Sequence, residues 1–151
     1  AQDCAITGNT ASIYGGGMLI TGSSTVTVTT STISGNTAAW EGGGIDMFGG
    51  TLHAQDCAIT GNTASIYGGG MLITGSSTVT VTTSTISGNS ATSYGRNIYY
   101  GGGVYMNGGT LHAQGCSITG NTAEYGGGMY LGGGSTVTVT TCTISGNTAS
   151  D

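Results

Sequence analysis

The chain has 151 residues, 32 of them glycine and none proline, and only 5% are charged, with Arg96 the single basic residue and a net charge of −5. That balance excludes nucleic-acid binding, which needs clustered Lys and Arg against phosphate, and argues against docking on an anionic membrane surface. No run approaches the roughly 20 apolar residues of a membrane span, the abundance of Val, Ile and Thr is unlike a disordered chain, and no G-X-Y period marks collagen.

In chain order, AQDCAITGN ends at Asn9, and GGGMLITGSSTVTVTTSTISGN runs from Gly15 to Asn36. A second type of unit, GGGIDMFGGTLHAQDCAITGN, runs from Gly42 to Asn62. The first type then returns from Gly68 to Asn89, and residues 54–89 copy residues 1–36 letter for letter. Both types follow once more, from Gly101 and from Gly126, after an insertion within SATSYGRNIYY, residues 90–100. The I-[S/T]-G-N element ends at Asn9, Asn36, Asn62, Asn89, Asn121 and Asn147, in steps of 27, 26, 27, 32 and 26 residues. A fixed period of this length is the mark of a solenoid. The chain begins and ends inside a repeat, so the expectation is one β-helix segment, residues 1–151, cut from a longer mature array.

Each unit holds three short runs that alternate at period 2, such as Met71–Thr74, Thr78–Thr82 and Ser84–Ser87, the pattern of half-buried strands. Stacking the units gives columns that stay apolar: Met18, Ile45, Met71, Val104, Met129; Ile20, Met47, Ile73, Met106, Leu131; Val26, Leu52, Val79, Leu111, Val137. Val28, Ala54, Val81, Ala113 and Val139 form another, and an isoleucine column runs from Ile6 to Ile144. Ala11 and its equivalents close the turn, and the Thr, His, Gln, Tyr, Asp and Asn between the columns face outward. Tight hairpins cannot join parallel strands, so the predicted fold is all-β: a parallel β-helix of about six coils with three short strands each. One coil buries side chains worth about 10 kcal/mol and orders about 26 residues at several times that cost. Contact with both neighbours must supply the difference. The repeated asparagines are expected to form an amide ladder at one corner.

ITGNTASIYGGGM, ISGNTAAWEGGGI and ITGNTAEYGGGMY resemble the repeats of right-handed parallel β-helix proteins, and are similar to the polymorphic outer-membrane protein type, with its GG[A/G]I motif and asparagine-ended partner. The resemblance spans the chain, with I-T-G-N or I-S-G-N where that type has an aromatic FxxN. It implies right-handedness and a secreted, surface-exposed setting. The fold also serves polysaccharide-cleaving enzymes, so it does not fix function.

Carboxylates that cleave polysaccharides come in clusters. Here Asp3 and Asp56 lie two coils apart, Glu41 and Asp46 share a coil but sit on a turn and a strand, and no column stacks acids on neighbouring coils; no enzyme is expected. His53 and His112 are outward, separated by a threonine coil, and short of a zinc set; neither metal nor cofactor is expected. The T-x-T array of an ice-binding face is broken by His53 and Gln55. Tyr14, Trp40, Tyr67, Tyr100 and Tyr125 precede the triple glycines, either as a stacked ladder or as a contact stripe. The insertion, with Tyr94, Arg96, Tyr99 and Tyr100, is the best candidate for a specific contact, because insertions in solenoids collect on one face. Cys4, Cys57, Cys116 and Cys142 share an inward column with Ser31 and Ser84. The spacing of adjacent coils places Cys116 and Cys142 within reach of a disulfide; Cys4 and Cys57 are expected to be free or paired outside this segment. Cysteines in a lysine-free, Ser/Thr-rich chain fit an oxidising, extracellular setting. The eight asparagines form no N-x-S/T sequon, while O-glycosylation stays open. The function expected is a non-enzymatic extracellular filament, fibre or stalk that self-associates end to end or laterally. The alternative is a cell-surface adhesin passenger that binds a partner or a glycan through loops and the aromatic stripe.

Overall fold

The computed structural model describes residues 1–92 and 98–151. Alternation at period 2 becomes parallel strands, and the described pairings join equivalent residues of successive coils: Met18, Ile45, Met71, Val104 and Met129 in one row, Ile6, Ile33, Ile59, Ile86, Ile118 and Ile144 in another. The result is a parallel β-solenoid of about five coils, to which the first nine residues add a partial one. Its second face stacks Ala5–Thr7, Thr32–Ser34, Ala58–Thr60, Thr85–Ser87, Ser117–Thr119 and Thr143–Ser145. Its third stacks two-residue strands from Thr10–Ala11 to Thr148–Ala149. No helix among the described residues is long and apolar enough to cross a membrane.

The first face departs from three separate runs. In the middle coils the first two runs fuse into single strands, Met71–Thr82 and Val104–Gln114, while in the first coil they stay apart as Met18–Thr21 and Thr25–Thr29. The fusion passes a bulge between Gly75 and Thr78. There the Ser77 hydroxyl donates to the Thr74 carbonyl at 2.6 Å and accepts the Gly49 N–H at 2.8 Å, so a side chain fills the ladder place that the extra residue vacates.

The core is one narrow stack. Ile45, Met47, Leu52, Ile59, Met71, Ile73, Val79 and Val81 are fully buried, while Met18, Val26, Met129 and Val137 pack against them from the outer coils and are partly buried. Each coil covers its columns against two neighbours, so Val139 and Ile144, with one neighbour here, are open. The triple glycines are a packing requirement. A Cβ on Gly43 would stand 2.4 Å from the Gly69 carbonyl oxygen and 2.5 Å from the Thr63 carbonyl, and one on Gly44 would press on Asn62. Two successive positions therefore have no room for any side chain.

A left-handed corner precedes the cysteine column. Asp3, Thr30, Asp56, Thr83 and Thr141 hold φ between 46° and 53°, with Gly115 in the same place at 64°. A β-branched residue there is strained by roughly 1–2 kcal/mol. Thr30 is exposed and its side chain makes no hydrogen bond among the described residues, so Thr30→Gly is expected to raise the unfolding free energy by about 0.5–1 kcal/mol, net of the added freedom of the unfolded glycine, measured by urea titration.

Candidate functional site

The asparagines form a continuous one-way ladder. The Asn62 Oδ1 accepts the Asn36 N–H and Nδ2–H, both at 3.0 Å, while Asn62 Nδ2 donates to Asn89 Oδ1 at 3.0 Å and to the Ile33 carbonyl at 2.9 Å. Asn9, Asn36, Asn89, Asn121 and Asn147 carry the ladder to both ends. Asn36, Asn62, Asn89 and Asn121 are buried. A buried amide offers two donors and two acceptor lone pairs, and at Asn62 each is used. This corner holds coils together and has nothing left to offer a ligand.

The expected disulfide does not form: Cys116 and Cys142 are both free thiols, as are Cys4 and Cys57. The two side chains point the same way. Cys116 Sγ donates to the carbonyls of Gln114 and Val81, both at 3.3 Å, and Cys142 Sγ to those of Thr140 and Ala113, at 3.3 and 3.4 Å. Equal rotamers on in-register strands keep the sulfurs about one strand spacing, about 4.8 Å, apart, whereas a bond needs about 2.05 Å. The thiols act as serines do in this column: the Ser31 and Ser84 hydroxyls donate to Thr29 and Thr82 in the same way. Burial pushes the Cys116 thiol above its ordinary pKa, which keeps it an unreactive thiol.

The aromatic corner differs in register from its expected membership. The bridged row is Tyr14, Glu41, Tyr67, Tyr100 and Tyr125. Trp40 lies outside it, because the row is set by distance from the first glycine: Glu41, not Trp40, directly precedes Gly42. The N–H groups of Trp40 and Glu41 both donate to the Ile13 carbonyl, so Trp40 is level with Ile13 and points into solvent, 53% exposed. A second row, Tyr105 and Tyr130, sits beside the first. Ring centroids lie 4.6 Å apart for Tyr67 and Tyr105, 5.2 Å for Tyr100 and Tyr125, and 5.5 Å for Tyr105 and Tyr130, all stacked. These five half-buried rings form a continuous stripe over three coils. The Tyr125 hydroxyl donates to the Asp151 carboxylate; that bond and that charge push its pKa up to about 12, so it remains a neutral donor. Tyr99 joins the corner through its carbonyl, which accepts the Tyr125 N–H at 3.0 Å. Tyr94 and Arg96 lie outside the described residues. Ser90 and Ala91 are already strand and Tyr100 is already bridged, so the inserted stretch falls between them.

Glu41 and Asp46, expected to share a coil on a turn and a strand, line one groove. Gly42 takes φ +62° and folds the corner back so far that a Cβ on it would stand 2.5 Å from the Asp46 Cβ. Asp46, placed outward by alternation, is covered by this turn and only 3% exposed, and Leu72 beside it is 2% exposed. Burial, with the Glu41 charge as a smaller contributor, pushes the Asp46 pKa from 3.8 up to about 6, and burial also raises that of Glu41. The pair opens into a groove of about 360 Å³ with apolar walls that include Tyr14, Leu19, Phe48 and Leu72. Alternation alone hid Asp46; the glycine ahead of it was the available signal.

His53 and His112 flank Thr80, each in register with it, and the face of Thr27, Thr29, His53, Gln55, Thr80 and Thr82 is a shallow concavity. No group of three or more metal-ligating side chains occurs among the described residues. A family model described as the right-handed beta helix region matches residues 1–144. No curated protein and no solved structure matches the chain.

Proposed function

The chain belongs to the right-handed β-helix family, and from that premise we propose that it is a structural, non-enzymatic element of an extracellular filament or stalk. One observation carries this reading: the interactions that hold one coil to the next are the same at every step. The asparagine bonds, the glycine strip and the isoleucine column recur unchanged, across units whose sequences are in part exact copies. A solenoid built this way lengthens by duplication without inventing a new contact. Length is then the property under selection, and a rod or fibre is what length provides. Electron microscopy of arrays carrying extra copies of the 53-residue pair tests it. Each added pair is expected to lengthen the rod by about 10 Å, two strand spacings, and the rods to associate into filaments. Short particles that stay monodisperse at every coil number would sink the proposal.

A second reading, a surface passenger that binds a partner or a glycan, draws on the stripe of Tyr67, Tyr100, Tyr105, Tyr125 and Tyr130. Aromatic faces exposed in a row suit sugar rings and protein contacts alike. Glycan-array binding that is lost in Tyr105→Ala, with rods that do not self-associate, would favour it over the first.

A further inference from the structure

Among the described residues Asp46 is the only buried side chain that carries charge. The other buried polar side chains are serines and asparagines, and each of them makes hydrogen bonds. Among the described residues the Asp46 carboxylate makes none. Its neighbours in the register are Leu19 on one coil and Leu72 on the next, so the strand row gives it hydrocarbon on both sides. A carboxylate withdrawn from water without a partner is costly, and in folded proteins such groups are paired or neutralised.

Asp46 and Glu41 both line the groove. Phe48 is 67% exposed and Leu19 53% exposed, so the walls are open to whatever enters. A site with an anionic floor and apolar, partly aromatic walls is complementary to a cation on an apolar body, which aromatic faces also attract. Calcium would need six or more oxygens and zinc three or four converging ligands, and the described residues hold no group of three or more metal-ligating side chains. The groove, at about 360 Å³, falls at the small end of the range for small-molecule clefts.

We propose that this groove binds a small organic cation, an ammonium or guanidinium on an aromatic or branched apolar body, with its charge on Asp46 and its body between Leu19, Leu72 and Phe48. The proposal is independent of the filament reading and stands or falls separately from it. Glu41 is the charged group facing Asp46, and Tyr14 is the other titratable group in the groove. Binding needs Asp46 ionised, so affinity is expected to fall about tenfold between pH 7.5 and pH 5, given a group that titrates about pH 6.

The test is a titration of the intact chain with 2-phenylethylammonium and with its neutral counterpart 2-phenylethanol, followed by calorimetry and amide NMR shifts. The ammonium is expected to bind at least tenfold more tightly, with shifts centred on residues 45–48 and 71–74. Asp46→Asn is expected to abolish that preference while leaving the circular dichroism unchanged. Phe48→Ala, at an exposed position, is expected to weaken both probes and so reports on the walls without touching the charge. Equal binding of amine and alcohol, or a preference that survives in Asp46→Asn, would overturn the proposal. So would an Arg96→Gln chain that binds where the parent does not, since the chain would then fill its own groove. A lysine-bearing peptide that binds where the free amine fails would equally overturn it, in favour of a protein partner.

Discussion

Asn62→Ala is expected to lower the unfolding free energy by about 3–5 kcal/mol at neutral pH. The change removes the acceptor of two buried donors, the Asn36 N–H and Nδ2–H, and the donor to the Ile33 carbonyl. Each buried polar group left unsatisfied costs about 1–3 kcal/mol, and the space left behind adds to this because the glycine strip beside it cannot move in. Asn62→Asp should be worse. A carboxylate keeps the acceptor role but presents oxygen, without a proton, to the Ile33 carbonyl and to Asn89 Oδ1. Asn9→Ala is the control: Asn9 is exposed, and its side chain makes one hydrogen bond among the described residues, donating to Asn36 Oδ1, so its loss should stay below about 1 kcal/mol. Chemical denaturation followed by circular dichroism measures all three. Equal effects at positions 9 and 62 would mean that the ladder is incidental to stability.

That ladder was legible from spacing, because a residue that returns every 26 or 27 positions in an otherwise freely varying turn has to meet its own copies. The apolar columns were legible for the same reason: the registers of Val26 with Leu52 and of Val79 with Leu111 follow from period 2 once the coil length is known. Three features at the glycine corner and the cysteine column were not. Trp40 was grouped with the tyrosines by residue type, whereas the backbone counts from Gly42 and puts Glu41 in the row. Asp46 was placed in solvent by alternation, which assigns a direction to a side chain but says nothing of what folds over it afterwards. Cys116 and Cys142 were placed at a bonding distance between backbones, but strands in exact register hold equivalent side chains parallel, and parallel side chains do not converge. In each case the sequence carried the translation from coil to coil, and the missing piece was local geometry within one coil.

Asp46→Leu is expected to stabilise the chain by about 3 kcal/mol at pH 7 and to remove most of the pH dependence of its stability between pH 4 and 7. The sign follows from the direction of the shift. In the folded chain the Asp46 carboxyl holds its proton up to about pH 6, against an ordinary value of 3.8. The folded state is therefore the better proton binder, and unfolding becomes easier as the pH rises through that window. The stability conferred by the protonated form is complete below 3.8 and is lost by the time the pH passes 6; a gap of this size corresponds to about 3 kcal/mol. Leucine already occupies the equivalent place on both neighbouring coils, at Leu19 and Leu72, so the substitution restores a continuous apolar row without a new shape. Asp46→Asn should remove the pH dependence too but recover less stability, because an unpartnered amide is still a buried polar group. Glu41 then decides what remains: its pKa is also raised by burial, so a residual decline with pH in Asp46→Leu is expected and should vanish in the double variant with Glu41→Gln. Urea titrations at pH 4, 5, 6 and 7 read all of these. A parent chain whose stability is flat over that range, or rises with pH, would show that Asp46 has found a counter-charge, and the groove could not then be an open site for a cation.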